Sequence, residues 1–279
     1  MLLYRGVGST DPTTQRRNLF LVPDGFGSGA VFGPLTPLLA GVADVSVFAL
    51  NSPFLATRDH QPADLDLSPT LEQLATMYVA ELRRRQPEGP YLVGGYSIGG
   101  LVAYEMARQL LEDDCVIETV FLIDTVCPTL ATSLPDALVD FLESIGSHLG
   151  IANEDEVRAN NNGRLLKSHH FNLSRRQLAQ YQAKRGLPLG PKRPQFVLFS
   201  AREGVDKQSA MARPTLSVEG ERKMAEWFLD DRSDDSGALG WEEFLGGPVR
   251  VVRADGNHFS MMTPQMVRKY ALALPSPPP

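Results

Sequence analysis

The chain has little from which to build a cross-linked or metal-held fold, with 2 cysteines and 5 histidines among 279 residues. Neither Cys115 nor Cys127 stands at metal-ligand spacing from a histidine. Both are expected as buried free thiols, and no metal site is expected. Blocks of Lys and Arg are also missing, and the net charge of -6 points away from a nucleic-acid surface. The densest basic cluster, Arg83-Arg84-Arg85, ends a helical pattern, where cations complement the helix dipole. No apolar run approaches the roughly 20 residues that span a bilayer, and the N-terminus lacks the apolar core of a secretory signal. These absences lead to the expectation of a soluble, cytoplasmic protein with no membrane partner.

What is present is a core-forming composition, 43% hydrophobic and 22% charged, sufficient for one α/β domain of this length. Its most informative stretch is Pro90-Tyr91-Leu92-Val93-Gly94-Gly95-Tyr96-Ser97-Ile98-Gly99-Gly100. An apolar strand runs directly into Gly-x-Ser-x-Gly and then into a helical pattern, the order of a nucleophile elbow. The turn is so tight that Gly95 and Gly99 must flank Ser97, whose hydroxyl then projects above the carboxyl edge of a sheet. Upstream, Ser68 can cap a helix beginning at Pro69, with Leu71, Leu74, Ala75, Tyr78, Val79 and Leu82 at helical spacing until Gln86-Pro87. Downstream, Leu101, Val102, Ala103, Met106, Ala107, Leu110 and Leu111 give a second apolar helix face.

Strand patterns at Leu19–Val22, Val45–Leu50, Tyr91–Gly94, Val116–Ile123, Phe196–Ser200 and Val249–Val252 alternate with helices. The pattern predicts a mostly parallel central sheet flanked by helices. A single domain is expected over residues 1–279, with linker at 1–17 and an extended tail at 274–279 that contains Pro275, Pro277, Pro278 and Pro279. Between Cys127 and Pro194 no strand signal occurs, only helical patterns at Ala137–Leu149 and near Arg175–Arg185 around a polar stretch at Asn153–Asn162. That insertion, about residues 129–192, is read as a helical lid over the active edge. Leu138, Phe141, Leu142 and Ile145 form one apolar face of it, read either as substrate-chamber lining or as ordinary packing on the core.

A serine hydroxyl is a weak nucleophile until an imidazole takes its proton. His60 lies in a Pro- and Asp-rich loop, His148 ends a lid helix, and His169 and His170 lie inside the lid. His258 follows the last strand on the carboxyl edge and satisfies the order Ser, acid, His. Asp124 ends an apolar strand, where a carboxylate without a partner would be costly to bury. Glu203 and Asp206 are the alternatives for the acid. The oxyanion needs two N–H donors: Ile98 offers one, and Asp24 or Gly25 in Pro23-Asp24-Gly25-Phe26-Gly27-Ser28-Gly29 the other. This loop also imitates a dinucleotide-binding turn, but the next strand ends in Asn51-Ser52 rather than in the acid that would hold a ribose.

Gly95-Tyr96-Ser97-Ile98-Gly99-Gly100 with Ala103-Tyr104-Glu105-Met106-Ala107, Asp124 after Phe121-Leu122-Ile123, and Gly256-Asn257-His258-Phe259 with Met261 and Met262 resemble the thioesterase domains that end polyketide synthases and non-ribosomal peptide synthetases. The resemblance spans about residues 19 to 272 and implies an α/β-hydrolase fold. It favours Asp124, because that family places the acid one strand earlier than most α/β-hydrolases do. Pro23-Asp24-Gly25, Asn51-Ser52-Pro53 and Arg253-Ala254-Asp255-Gly256 are most similar to the terminal domains of fungal non-reducing iterative polyketide synthases, although Ile98 stands where many of those carry Ala. The implied reaction moves a polyketide from the phosphopantetheine thiol of an acyl carrier protein to Ser97. Release follows by hydrolysis, lactone formation or Claisen cyclisation, with no cofactor in the domain itself. A carboxylesterase or lipase acting on free esters is the alternative. An idle binding module of the same fold is disfavoured by the complete Ser97, His258 and Asp124 set.

Overall fold

The computed structural model describes residues 2–5, 17–39, 45–55, 69–131, 134–145, 169–187, 192–206 and 211–267. Its apolar strand runs, β1 (Leu2–Arg5), β2 (Arg17–Val22), β3 (Val45–Ala49), β4 (Tyr91–Tyr96), β5 (Ile117–Ile123), β6 (Gln195–Glu203) and β7 (Arg250–Asn257), form one sheet in the order β1-β3-β2-β4-β5-β6-β7. All neighbouring pairs are parallel except β1 with β3. The helices are α1 (Thr36–Leu39), α2 (Leu71–Arg85), α3 (Ile98–Glu112), α4 (Asp136–Ser144), α5 (His169–Gln180), α6 (Glu219–Leu229) and α7 (Trp241–Leu245).

All six residues of β4 are buried, and α3 buries eleven of its residues. Such a strand can be apolar throughout because helices cover both sheet faces. From β2 the chain moves outward to β3, whereas from β4 it moves the opposite way to β5. The carboxyl ends of β2 and β4 therefore border a crevice at the point where the winding reverses, the usual ligand position in an open parallel sheet.

Several expectations need correction. Leu2–Arg5, expected as linker, pairs antiparallel with the otherwise free edge of β3, with Tyr4 opposite Val47, and Arg17 already belongs to β2. Thr70, not Ser68, caps α2: its hydroxyl accepts from Gln73 N–H, and the Gln73 side chain accepts from Thr70 N–H, a reciprocal box that leaves Pro69 outside the helix. The helix expected near Arg175–Arg185 starts earlier, at His169, and stops at Gln180. Beyond it the Tyr104 hydroxyl, on α3, captures the Lys184 carbonyl at 2.6 Å, so the chain follows α3 instead of continuing the helix. Of the other lid helix, α4 matches the expected stretch as far as Ser144; Asn153–Asn162 and the 274–279 tail lie outside the described residues. Both cysteines are free thiols, but only Cys127 is buried, Cys115 being half-exposed. Arg83 pairs with Asp113 at 2.7 Å and Arg84 with Glu81 at 2.8 Å, so the basic cluster answers to neighbouring carboxylates besides the helix dipole.

Candidate active site

Ser97 has φ 58° and ψ -129°, a region a side chain rarely adopts. Its N–H donates to Ile123 O at 2.9 Å, and its carbonyl accepts from Gly100 N–H. The flanking glycines follow from space: a Cβ on Gly95 would sit 2.0 Å from Gly99 O, and one on Gly99 would sit 2.1 Å from Pro23 O. The elbow is thus pressed against both its own helix and the loop after β2.

Asp124 directly follows β5 with φ 40°, its N–H bonded to Phe199 O at 2.7 Å. On the far edge, β7 runs to Asn257 and Gly256 adopts φ 82°. The Asn257 side chain accepts from the N–H groups of Phe259 and Ser260, a local turn that holds His258. The structure brings these three residues together. His258 Nδ1 lies 2.8 Å from Asp124 Oδ2, and His258 Nε2 lies 3.1 Å from Ser97 Oγ. A carboxylate only accepts, so Nδ1 carries the proton and Nε2 is the acceptor facing the serine hydroxyl. The imidazole is 4% exposed. Tyr96, Trp227, Phe228 and Phe259 surround it with ring centroids 4.9 to 5.4 Å away, and the Tyr96 hydroxyl donates to the His258 carbonyl.

Burial alone would drive Asp124 toward its neutral form. The charge of Arg232, then the His258 hydrogen bond and the Ala201 N–H, reverse this and hold the carboxyl at about 2. Glu203 is the last residue of β6, alongside Asn257, and Asp206 is held by Arg213 at 2.6 Å; neither carboxylate contacts the imidazole.

The loop after β2 is folded by Asp24, whose carboxylate accepts from Phe26 N–H and whose carbonyl accepts from Gly27 N–H. Gly29 N–H donates to Asn51 and Ala30 N–H to Ser28, and Asp24 and Gly25 both line the recess beside Ser97. Burial pushes the Asp24 carboxyl up to about 7, against the opposing pull of Phe26 N–H. The α5 helix lies over this loop: His170 Nδ1 and Ser174 Oγ both bond Gly25 O, and Phe171 stacks on Phe26 at 5.2 Å. His60 and His148 lie outside the described residues, as does the His169 side chain.

Two recesses flank Ser97 and share Gly25, Leu134, Phe171 and Phe228 as walls. One is mostly apolar, lined further by Leu101, Val126, Leu178, Met224 and Trp227, with Ser174 and Arg175 as its polar members; the other adds Asp24, Tyr96, Leu142 and His258. Of the predicted α4 face, Leu142 reaches a recess. Leu138 and Phe141 are buried in the core and Ile145 packs against it half-buried, so most of this face serves core packing.

Sequence reasoning missed Arg232 and the α5 contacts. Arg232 stands in Asp230-Asp231-Arg232-Ser233-Asp234-Asp235, which reads as a solvated acidic loop, and the lone cation among four acids was its only signal. His170 and Ser174 contact a backbone carbonyl distant in sequence, which no local pattern encodes.

Solved thioesterases share this architecture. The NocB thioesterase domain, in covalent complex with a fluorophosphonate nocardicin G analogue, superimposes with a TM-score of 0.62 at 24% identity over 94% of each chain. RedJ, the thioesterase of the prodiginine pathway in Streptomyces coelicolor, gives 0.59 at 18% identity over 98% of this chain and 94% of its own. The fold is a thioesterase-type α/β-hydrolase fold. Among sequences, the non-reducing polyketide synthase terA of Aspergillus terreus is 34% identical over 89% of this chain. The conidial yellow pigment biosynthesis polyketide synthase melA of Penicillium expansum is 34% identical over 94%. The chain spans only 11% and 12% of the lengths of these two relatives. The thioesterase domain model matches residues 17–273, and the chain belongs to that family of serine thioesterases.

Proposed function

We propose that the domain releases a polyketide from the phosphopantetheine arm of an acyl carrier protein through an acyl-Ser97 intermediate. The observation that carries this reading is the continuous set of contacts from Asp124 through His258 to Ser97 at the floor of the two recesses. Ser97 Oγ attacks the thioester carbonyl as His258 Nε2 takes its proton; the same proton then goes to the departing pantetheine sulfur. Asp124 holds the tautomer and balances the imidazolium. The oxyanion is received by Ile98 N–H, at the start of α3, and by Asp24 or Gly25 N–H; loss of one such donor typically costs about 3 kcal/mol of barrier. In the second half-reaction His258 deprotonates water, a substrate hydroxyl or an acidic methylene between two carbonyls; the nucleophile so formed attacks the acyl-Ser97 carbonyl, and the proton returns from His258 to Ser97 Oγ as it departs, giving an acid, a lactone or a Claisen-cyclised ring.

The predominantly apolar recesses suit a carbon chain that must fold on itself away from water. Helices α4 and α5 act as the lid in this reading, with Leu134, Leu142 and Phe171 as its contribution to the chamber. The partners are the carrier protein and its tethered chain. The test is incubation with polyketide-like acyl pantetheine thioesters. Intact-protein mass should reveal one acyl group on the native protein and none on Ser97→Ala, with released product only from the former. A folded Ser97→Ala protein that kept most of its turnover would sink the reading, and preference for short oxygen esters over thioesters would replace it with a general esterase.

A further inference from the structure

Asp124 presents two oxygens, and His258 occupies only Oδ2. Oδ1 receives the Arg232 guanidinium at 2.5 Å and Ala201 N–H at 2.8 Å. Arg232 comes from the segment after α6 and is 8% exposed. Its own fixings are numerous: Nη2 donates to Trp227 O, Nη1 lies 3.3 Å from Ala201 O and 3.4 Å from Ser200 Oγ, and its backbone N–H donates to Arg202 O. The guanidinium carbon stands 4.4 Å from the Trp227 ring centroid, a cation–π contact, and the same ring meets His258 edge-on at 5.1 Å.

A carboxylate as buried as Asp124 loses its charge unless a cation compensates it, and a neutral carboxyl cannot balance an imidazolium. Ala201 N–H orients Oδ1 but brings no full charge. His258 brings one only after it has taken the serine proton, which is the event Asp124 is there to assist. We propose that Arg232 is a positioning residue for acyl transfer: by holding Oδ1 it keeps Asp124 ionised before the reaction begins and turns Oδ2 toward His258 Nδ1. The inference rests on the acyl-transfer reading of Ser97, His258 and Asp124.

The titratable groups facing this pair are Tyr96 from β4 and Arg253 from β7, besides His258 itself, and Arg253 is in turn faced by Arg202 from β6 and Asp234 beyond α6. Arg202 is itself paired with Asp234. Replacing Arg232 by Met removes the cation at similar volume. If Asp124 stays charged, its unshared charge favours the imidazolium; if it protonates, the base is disabled. Both effects move the acidic limb of the pH–rate profile to higher pH.

With a pantetheine acyl thioester as substrate, Arg232→Met should lower kcat about 10²-fold with KM within twofold, and shift the acidic limb upward by about one pH unit. Arg232→Lys should return the limb to its native position and recover about a tenth or more of kcat, since it restores charge but not the fork. In an Asp124→Asn background the Arg232→Met change should have no further effect on kcat, because the residue through which it acts is gone. Equal losses in both backgrounds, or a folded Arg232→Met protein with native kcat and pH limb, overturn the proposal. Should Arg232→Met not fold, Arg232→Gln, which also removes the charge, takes its place in the two-background comparison, with the same criterion. Ser97→Ala keeps the two ideas apart: turnover surviving in that variant defeats the functional reading itself, whereas turnover lost there with Arg232 silent defeats only this inference.

Discussion

Two buried aspartates flank the elbow, and burial affects them alike while their neighbours do not. Asp24 follows β2 and Asp124 follows β5, with Tyr96 and Ser97 between them. Asp24 has a backbone N–H as its partner, and its carboxyl rises to about 7. Asp124 has Arg232, His258 and Ala201 N–H, and is held at about 2. Depth in the protein therefore does not assign a carboxyl its chemistry; the charge set against it does. Asp24 is a proton-holding group near neutrality that folds a loop, and Asp124 is a standing negative charge available to an imidazolium.

The comparison breaks most visibly at Asp124. Asp124→Asn should reduce acylation of Ser97 by about 10⁴-fold through the wrong His258 tautomer. It should also lower stability by about 3–5 kcal/mol, because Arg232 is left buried without its counter-charge. Rapid-quench acylation and urea midpoints measure the two effects, and a variant as active as the native protein would show that Asp124 is not the acid. At Asp24 the sign is opposite. A folded-state value above the unfolded one stabilises the protein below about pH 4 and loses that contribution as pH rises through about 7. Asp24→Asn keeps the acceptor for Phe26 N–H without the charge. Relative to native, it should be near neutral at pH 4 and gain up to about 4 kcal/mol at pH 8; a gain equal at both pH values would contradict the assignment. Between these extremes, Leu142→Asn tests whether the Asp24 side of the site is kept dry. Water admitted there should shift product toward the free acid severalfold with acyl-Ser97 formation unchanged, and unchanged product ratios would argue against Leu142 as chamber lining. The smallest effects belong to Glu203→Gln and Asp206→Asn, which should leave kcat within about twofold because neither carboxylate meets His258; a large loss at either would move the acid to β6.

The elements that position Ser97 were legible in the sequence because the elbow is a local device: Gly95, Ser97 and Gly99 are adjacent in chain and space, and β4 and α3 declare themselves by unbroken apolarity. His258 and Asp124 were legible from their positions at strand ends, which a parallel sheet converts into a shared edge. Arg232 was not, since its partner lies far back in the chain and its acidic surroundings imitate solvent-exposed loop. Nor was β1, whose stability derives from the open edge of β3 more than from its own four residues. The α4 face shows the limit of periodicity, which gave the apolar stripe of Leu138, Phe141, Leu142 and Ile145 but not the surface it meets.

The position of Trp227 has a consequence for any attempt to reshape the chamber. Its ring is at once wall of the recess beside Ser97, cover for His258 and platform for Arg232. Enlarging the cavity there, as by Trp227→Ala, would take away the support of the cation that charges Asp124. Substrate scope and intrinsic reactivity are thus mechanically joined at this residue, and broader scope is more readily engineered from Leu178 or Leu134, whose side chains line the same recess without touching the charge network.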